Sequence, residues 1–278
     1  MNRLGLVDGT FSHSVLGYCS DYQISDIFRW DRQNTSGDLV YTDMLLNRVS
    51  ENIYGDNYAW LIEPIEVAPQ NYRLIEKLEG NFKKIFTHEK TLLSKGEPYV
   101  LLPFGCCWVV KENHRIYEKH KDISIVASNK RLTSGHNLRH SVIDAFNGYF
   151  DVYGRGYNNI PNKLDGLKDY RFSIVIENCK RDYWFTEKLI DCFVTGTIPI
   201  YWGCPSIGEF FNIDGIITFD TLDELGDILN RLKVDPVSEY NNRLPYVVDN
   251  LNNSRQYLLP DDNIYKHIYG NEHINPTH

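Results

Sequence analysis

The segment ENCKRDYWFTEKLIDCFVTGTIPIYWG, from Glu177 to Gly203, places a lysine where a helix least favours one. Leu189, Ile190, Phe193 and Val194 recur at helical spacing, which predicts a helix with Thr186 as its N-cap. Lys188 then lies in the first turn, against a dipole that favours anions there. A lysine beside first-turn amides makes a pocket for a phosphate, and Glu187 next to it can accept from ribose or sugar hydroxyls. The same residues also read as a solvated first turn with unrelated charges. Glu187 and Asp191, four apart on one face, form a like-charge pair that costs about 0.2–0.5 kcal/mol.

A second cation comes from SNKRLTSGHNLRHSVIDAF, Ser128 to Phe146. A strand ends at Ser128-Asn129 and a helix begins after the Thr-Ser-Gly turn, with Arg139 about one turn inside it. An arginine there can grip a diphosphate through two nitrogens. Lys130, Arg131 and His140 are nearby alternatives that also read as surface residues. His136 and His140 stand four apart, a spacing that can ligate a metal, but with no third ligand evident they read as surface histidines. The loop lacks the Gly-Lys-Ser/Thr ending of a P-loop, and the Gly-x-Gly of YGRGYNN reads as a simple turn.

The elements that must position these groups alternate. In the first third, LGLVDG, DLVYTD, YAWLIEP, KKIFTHE and YVLLPF read as short strands, with a helix over NYRLIEKLEG. From about residue 122 the order is strand ISIVAS, helix, strands YFDVYG and YRFSIVIEN, the Thr186 helix, strands TIPIYWG and GIITF, and a helix over TLDELGDILNRL. Near-continuous apolar strands between amphipathic helices predict parallel sheets covered on both faces. The charge-rich stretch VVKENHRIYEKHKD marks the boundary, giving two α/β domains facing a cleft: residues 1–115, residues 116–262, and a tail over 263–278. DPVSEYNNRLPYVVDNLNNSRQYLL reads as a helix broken at Pro245, PDDN as a turn, and the last residues as a frayed end. Ligands of such sheets sit beyond the carboxyl ends of the strands, where both ENCKRDYWFTEK and YGRGYNN fall. At the same rim Tyr201 and Trp202 either stack on a base or close the core.

The chain of 278 residues is 42% hydrophobic, with 37 acidic against 29 basic residues and a net charge of −8. That balance excludes a broad nucleic-acid footprint and leaves room for a small anion held by local cations. No apolar run is long enough to span a bilayer, and no secretory leader or basic amphipathic anchor is visible. The cysteines at 19, 106, 107, 179, 192 and 204 form no Cys-x-x-Cys pair, which predicts reduced thiols and a cytoplasmic location.

YRFSIVIENCKRDYWFTEKLIDCFVTGTIPIYWG, followed by CPSIGEFFN, closely resembles the signature region of the family 10 glycosyltransferases, the α-1,3/4-fucosyltransferases. The match is dense over roughly 45 residues, looser back to Ala127, and thin in the N-terminal third. The resemblance implies a GT-B fold of two Rossmann-like domains and an inverting transfer of a sugar, usually L-fucose, from a GDP donor to a glycan hydroxyl. Carried over by position, Glu187 holds ribose hydroxyls and Lys188 and Arg139 the pyrophosphate. Asn178 lies near the sugar or its phosphate, while Tyr183 or Trp184 lines the pocket beside Thr186. One extra residue between Tyr183 and Thr186 leaves open which aromatic points inward. An inverting transferase needs a carboxylate to take the acceptor's proton. The family draws it from the first domain just after a strand, where Glu63 is the first choice and Glu66 the second. The protein's own cations can support the leaving diphosphate, so no metal or other cofactor is expected. The competing readings are the same fold with another nucleotide sugar, and a nucleotide- or glycan-binding protein without catalysis. Neither the acceptor nor the linkage is legible.

Overall fold

The computed structural model describes residues 1–9 and 23–270; Cys19 and the final residues 271–278, both read above, lie outside them. The chain forms two units, one built from Met1–Cys106, Asp182–Trp184 and the C-terminal segment from Leu259, the other from Cys107–Arg181 and Phe185–Leu258.

The first unit holds a six-stranded sheet of β1 (Asn2–Val7), β2 (Phe28–Asp31), β3 (Leu39–Thr42), β4 (Asn57–Trp60), β5 (Lys84–Thr87) and β6 (Tyr99–Leu101). Their order is β2-β1-β3-β4-β5-β6 and every pairing is parallel. Side chains alternate between the faces with the period of two that a strand imposes. Leu39, Tyr41, Ala59 and Ile85 pack on one side against Tyr72 and Ile75 of α1 (Pro69–Leu78) and Leu92 of the short α2 (Lys90–Leu93). Val40, Tyr58, Trp60 and Phe86 face the other way.

The second unit's sheet runs β11-β10-β9-β7-β8, again parallel throughout. Its strands are β7 (Lys121–Val126), β8 (Asp151–Tyr153), β9 (Tyr170–Ile176), β10 (Ile198–Trp202) and β11 (Ile217–Thr218). The helices are α3 (Ser134–Ala145), α4 (Glu187–Thr195), α5 (Leu222–Val234) and α6 (Pro236–Ser254). Phe172, Ile174 and Ile176 of β9 pack into a core with Val142, Leu225 and Leu229, while Val175 lies in another with Leu189, Ile190 and Phe193. The central strand is therefore buried on both faces from Phe172 to Ile176.

Three expectations are revised. Helix α6 runs through Pro245. Tyr240 and Val247 are buried on either side of it, and Asn250 exchanges two hydrogen bonds with the Asn212 backbone; this packing outweighs the roughly 3 kcal/mol that an interior proline costs. PDDN is no turn but the start of α7 (Pro260–Tyr269), whose Ile264 and Tyr265 complete the first unit's core. The division falls at Cys106/Cys107 instead of 115/116. Residues 107–115 belong with the second unit because Val109 lies in its core and the Arg115 amide donates to Val194. Sequence reading also missed β2, whose FRWD carries only two buried positions.

Candidate functional site

Strand β9 is followed directly by Glu177, whose carboxylate is fully buried and accepts at 2.8 Å from both the amide and the hydroxyl of Thr186. This clamp ties the strand's end to the start of α4 and makes Thr186 the N-cap expected for it, accepting from the Lys188 amide. The backbone is close-fitted here. A Cβ on Gly135 would stand 1.8 Å from the Glu177 carbonyl oxygen, so only glycine lets α3 begin against the end of β9.

Six charged side chains meet at this edge. Lys188 Nζ lies 3.1 Å from Glu187 Oε1, 3.1 Å from Thr186 Oγ1 and 3.6 Å from Glu177 Oε2. Lys163 Nζ sits 2.7 Å from Asp191 Oδ2 and 4.0 Å from Glu187 Oε1, with its charge 5.4 Å from the centre of the Trp108 ring. Asp191 Oδ1 also accepts from the Trp108 amide at 2.8 Å. Arg139 Nε donates to the Ile176 carbonyl and Nη2 to Asn178 Oδ1, each at 2.9 Å. Burial alone would push the Glu187 carboxyl up, but Lys188 and Lys163 outweigh it and bring its pKa down to about 2. Burial would lower Lys163, yet Asp191 and Glu187 hold it above the usual lysine range. Arg139 is lowered by burial, with Glu177 and Glu187 opposing the shift.

The structure thus brings together Arg139, Asn178, Thr186, Glu187 and Lys188 of the expected residues. It adds Glu177, Lys163 and Asp191, which sequence reading did not place in the site. Of the three cations Lys188 has the most exposed side chain, 23% against 15% for Lys163, while Arg139 as a residue is only 4% exposed. Lys188 stands against the helix dipole with two carboxylates of its own beside it, so its position has an internal electrostatic account. The Glu187/Asp191 pair likewise costs less than two like charges would, because Lys163 lies between them. Lys163 carries no local signal: it opens a single 3-10 turn, Lys163–Gly166, ahead of β9, and in sequence the lysine of NKLDG is indistinguishable from a surface one.

The histidines depart from expectation. His136 and His140 are buried and pin the loop before α3. The Thr133 hydroxyl accepts from the His136 amide and lies 2.7 Å from its Nδ1, while His140 Nε2 donates to the Lys130 carbonyl and Nδ1 accepts from Tyr157. Burial, followed by the Arg139 and Lys130 charges, takes His136 down to about 4. Among the described residues no cluster of three or more metal-ligating side chains occurs. Tyr201 is buried and its hydroxyl accepts from the Cys204 amide, which makes it a core residue.

Tyr183 and Trp184 belong with the first unit. Tyr183 holds a left-handed backbone at φ 60°, and its ring centre lies 5.8 Å from Lys90 Nζ. Trp184 is buried with its ring 6.1 Å from that of His88, and its indole N–H makes no hydrogen bond among the described residues. Glu63 is half-buried just past β4, and its carbonyl accepts from Tyr72 at 2.9 Å. Glu66 is exposed in the turn beyond.

Comparison with known proteins shows what these positions are similar to. Residues 116–244 match the model described as glycosyltransferase family 10 (fucosyltransferase) C-term. An α-(1,3)-fucosyltransferase of Helicobacter pylori is 30% identical over 156 residues, 49% of this chain and 33% of that protein. A putative fucosyltransferase-like protein of Arabidopsis thaliana is 31% identical over 104 residues, 35% of this chain and 20% of its own. The chain therefore spans a third or less of the length of these relatives. A crystal structure of an α1,3-fucosyltransferase with GDP superposes with a TM-score of 0.58 at 19% identity, covering 99% of this chain and 92% of the other. TarM follows at 0.53 and 10%, covering 87% and 56%. The fold is accordingly α/β of the GT-B type, with two Rossmann-like domains. Residues 116–244 are thus similar to the C-terminal part of the glycosyltransferase family 10 fucosyltransferases.

Proposed function

We propose that the protein is a glycosyltransferase that moves L-fucose from GDP-fucose to a hydroxyl of a glycan acceptor with inversion at the anomeric carbon. The observation that carries this reading is the convergence of Arg139, Glu187 and Lys188 at the carboxyl end of β9 and the N-terminus of α4. In this reading Glu187, ionised across the working pH range, accepts from the ribose hydroxyls. Lys188 and Arg139 take up the charge that develops on the diphosphate as the sugar–phosphate C–O bond breaks, which makes the transfer metal-independent. Asn178, held by Arg139, orients the sugar or its phosphate. Glu63 removes the acceptor's proton as that oxygen forms the new glycosidic bond. A reducing, cytoplasmic setting belongs to the same proposal and is supported by the buried, unbridged thiols of Cys106, Cys107, Cys179, Cys192 and Cys204. No described helix is long and apolar enough to cross a membrane.

Calorimetric titration with GDP, UDP and their sugars, in chelator, tests the donor half. GDP is expected to bind in preference to UDP, and Lys188→Ala to weaken it by about 1–3 kcal/mol, the range for hydrogen bonds to a charged group. Preference for UDP would replace GDP-fucose by another nucleotide sugar. Loss of binding in chelator would end the metal-independent account.

A further inference from the structure

The carboxyl end of β3 carries an aspartate in an unusual state. Asp43 is 2% exposed, yet its backbone is left-handed at φ 34°, a conformation that residues other than glycine take up only under constraint. Its Oδ1 accepts from the Ile62 amide at 3.1 Å, and the Glu63 amide also acts on the carboxylate. Asn71 of α1 lies close enough to act on it too, but neither Asp43 Oδ2 nor Asn71 Nδ2 makes a hydrogen bond among the described residues. A buried carboxylate oxygen and a buried amide left in that state cost stability. Nothing in the packing of the first unit requires an acid here, since a buried asparagine or glycine would suit the φ better.

What Asp43 does hold is the backbone leading into Glu63. From one side its carboxylate accepts from the Ile62 amide; from the other the Tyr72 hydroxyl donates to the Glu63 carbonyl. The chain around Glu63 is therefore fixed through its backbone just past β4, while the side chain remains half-exposed.

We propose that Asp43 is the positioning residue of the transfer reaction, fixing through the Ile62–Glu63 backbone the direction in which Glu63 presents its carboxylate to the acceptor. This rests on Glu63 being the base. A base displaced by about 1 Å loses on the order of 100-fold in rate, so the strain and the unpaired oxygen are offset in function.

The test compares wild type with Asp43→Gly, Asp43→Asn, Glu63→Gln and the double variant Asp43→Gly/Glu63→Gln. The readout is GDP release from GDP-fucose on whichever free oligosaccharide turns over fastest, or on water if none does, alongside melting temperature and GDP affinity. Glycine removes the carboxylate while accepting the φ; asparagine keeps an acceptor for the Ile62 amide and tolerates the φ. Asp43→Gly is expected to lower kcat by about 10- to 100-fold with donor KM and GDP affinity unchanged. Asp43→Asn should recover to within about threefold, because an acceptor remains for the Ile62 amide. The double variant should be no slower than Glu63→Gln alone, because a positioning residue has nothing to position once the base is gone. If Glu63→Gln is inactive while Asp43→Gly keeps full kcat, or while the two losses multiply, the role of Asp43 is overturned and the base stands. If Glu63→Gln keeps wild-type turnover, the base assignment fails and this proposal with it.

Discussion

The two sheets end in opposite electrostatic arrangements. Beyond β9, Glu177, Glu187 and Asp191 each have a lysine within 4.0 Å, and Arg139 is held by a carbonyl and Asn178. Beyond β3, Asp43 is held by peptide N–H groups, and its burial, with Glu63 adding to it, raises its pKa to about 7. The lysines instead drive Glu187 down to about 2. Binding an anion calls for charges that stay on across the working pH range, and ion pairs fix them in that state. Proton transfer calls for a carboxylate neighbourhood close to neutrality, which desolvation supplies. The difference between the two ends is that between carboxylates held ionised by lysines and a carboxylate that burial keeps close to its neutral form.

The comparison is broken most forcefully at Lys163. Its removal as Lys163→Met leaves Asp191, fully buried, and Glu187 without it, and the expected loss of folding stability is about 3–5 kcal/mol in urea denaturation. Adding Asp191→Asn should restore a large part of that loss, because the uncompensated charge goes too. A loss below about 1 kcal/mol for Lys163→Met would mean that the cluster is not held by its charges.

A smaller effect sharpens the contrast through pH. Asp43, raised above its unfolded value of 3.8, binds more protons folded than unfolded. Its contribution is fully present below pH 4 and is lost as pH rises through about 7. Glu187, lowered from 4.5, contributes above pH 4.5 and loses that contribution as pH falls through about 2. Wild type should therefore lose on the order of 3 kcal/mol relative to Asp43→Asn between pH 5 and pH 8. Relative to Glu187→Gln it should lose a similar amount between pH 5 and pH 2.5. Parallel curves for wild type and Asp43→Asn from pH 5 to pH 8 would show that Asp43 is ionised throughout.

What sequence could reveal of this follows the range of the interactions. The β9–α4 segment was legible because strand, cap and helix are adjacent, so Thr186, Glu187 and Lys188 announce themselves by spacing. Arg139 was legible at one remove, since a helix after a strand end has one direction to face. Glu177 sat in the quoted motif, but its role depends on Thr186 across the loop. Lys163 and Asp43 are defined by partners distant in sequence, and Asp43's left-handed φ leaves no composition signal. The buried histidines were missed for the same reason: Tyr157 and the Lys130 carbonyl, which occupy His140, come from other elements. The continuous α6 shows a local rule overruled by tertiary packing.

The smallest expected effect concerns the second carboxylate past β4, and it decides how narrow the first unit's site is. In YAWLIEPIEVAP Glu63 ranks ahead of Glu66 only because it ends the strand more directly. In the fold the backbone around Glu63 is held at the Ile62 amide by Asp43 and at the Glu63 carbonyl by Tyr72. Glu66 is exposed in a turn whose hydrogen bonds run from the Val67 and Ala68 amides to the Pro64 carbonyl, leading into α1. The hydrogen bonds of that turn run locally into α1, whereas the Glu63 backbone is anchored at the end of β4 by residues distant in sequence, the kind of fixed placement that catalysis rewards. Glu66→Gln should therefore change kcat by less than about threefold, against the 100- to 10,000-fold loss typical of removing a general base and expected for Glu63→Gln. Side-by-side turnover of the two variants checks this. A large loss at Glu66 with Glu63→Gln active would move the base three residues along the chain, onto a segment that Asp43 does not hold.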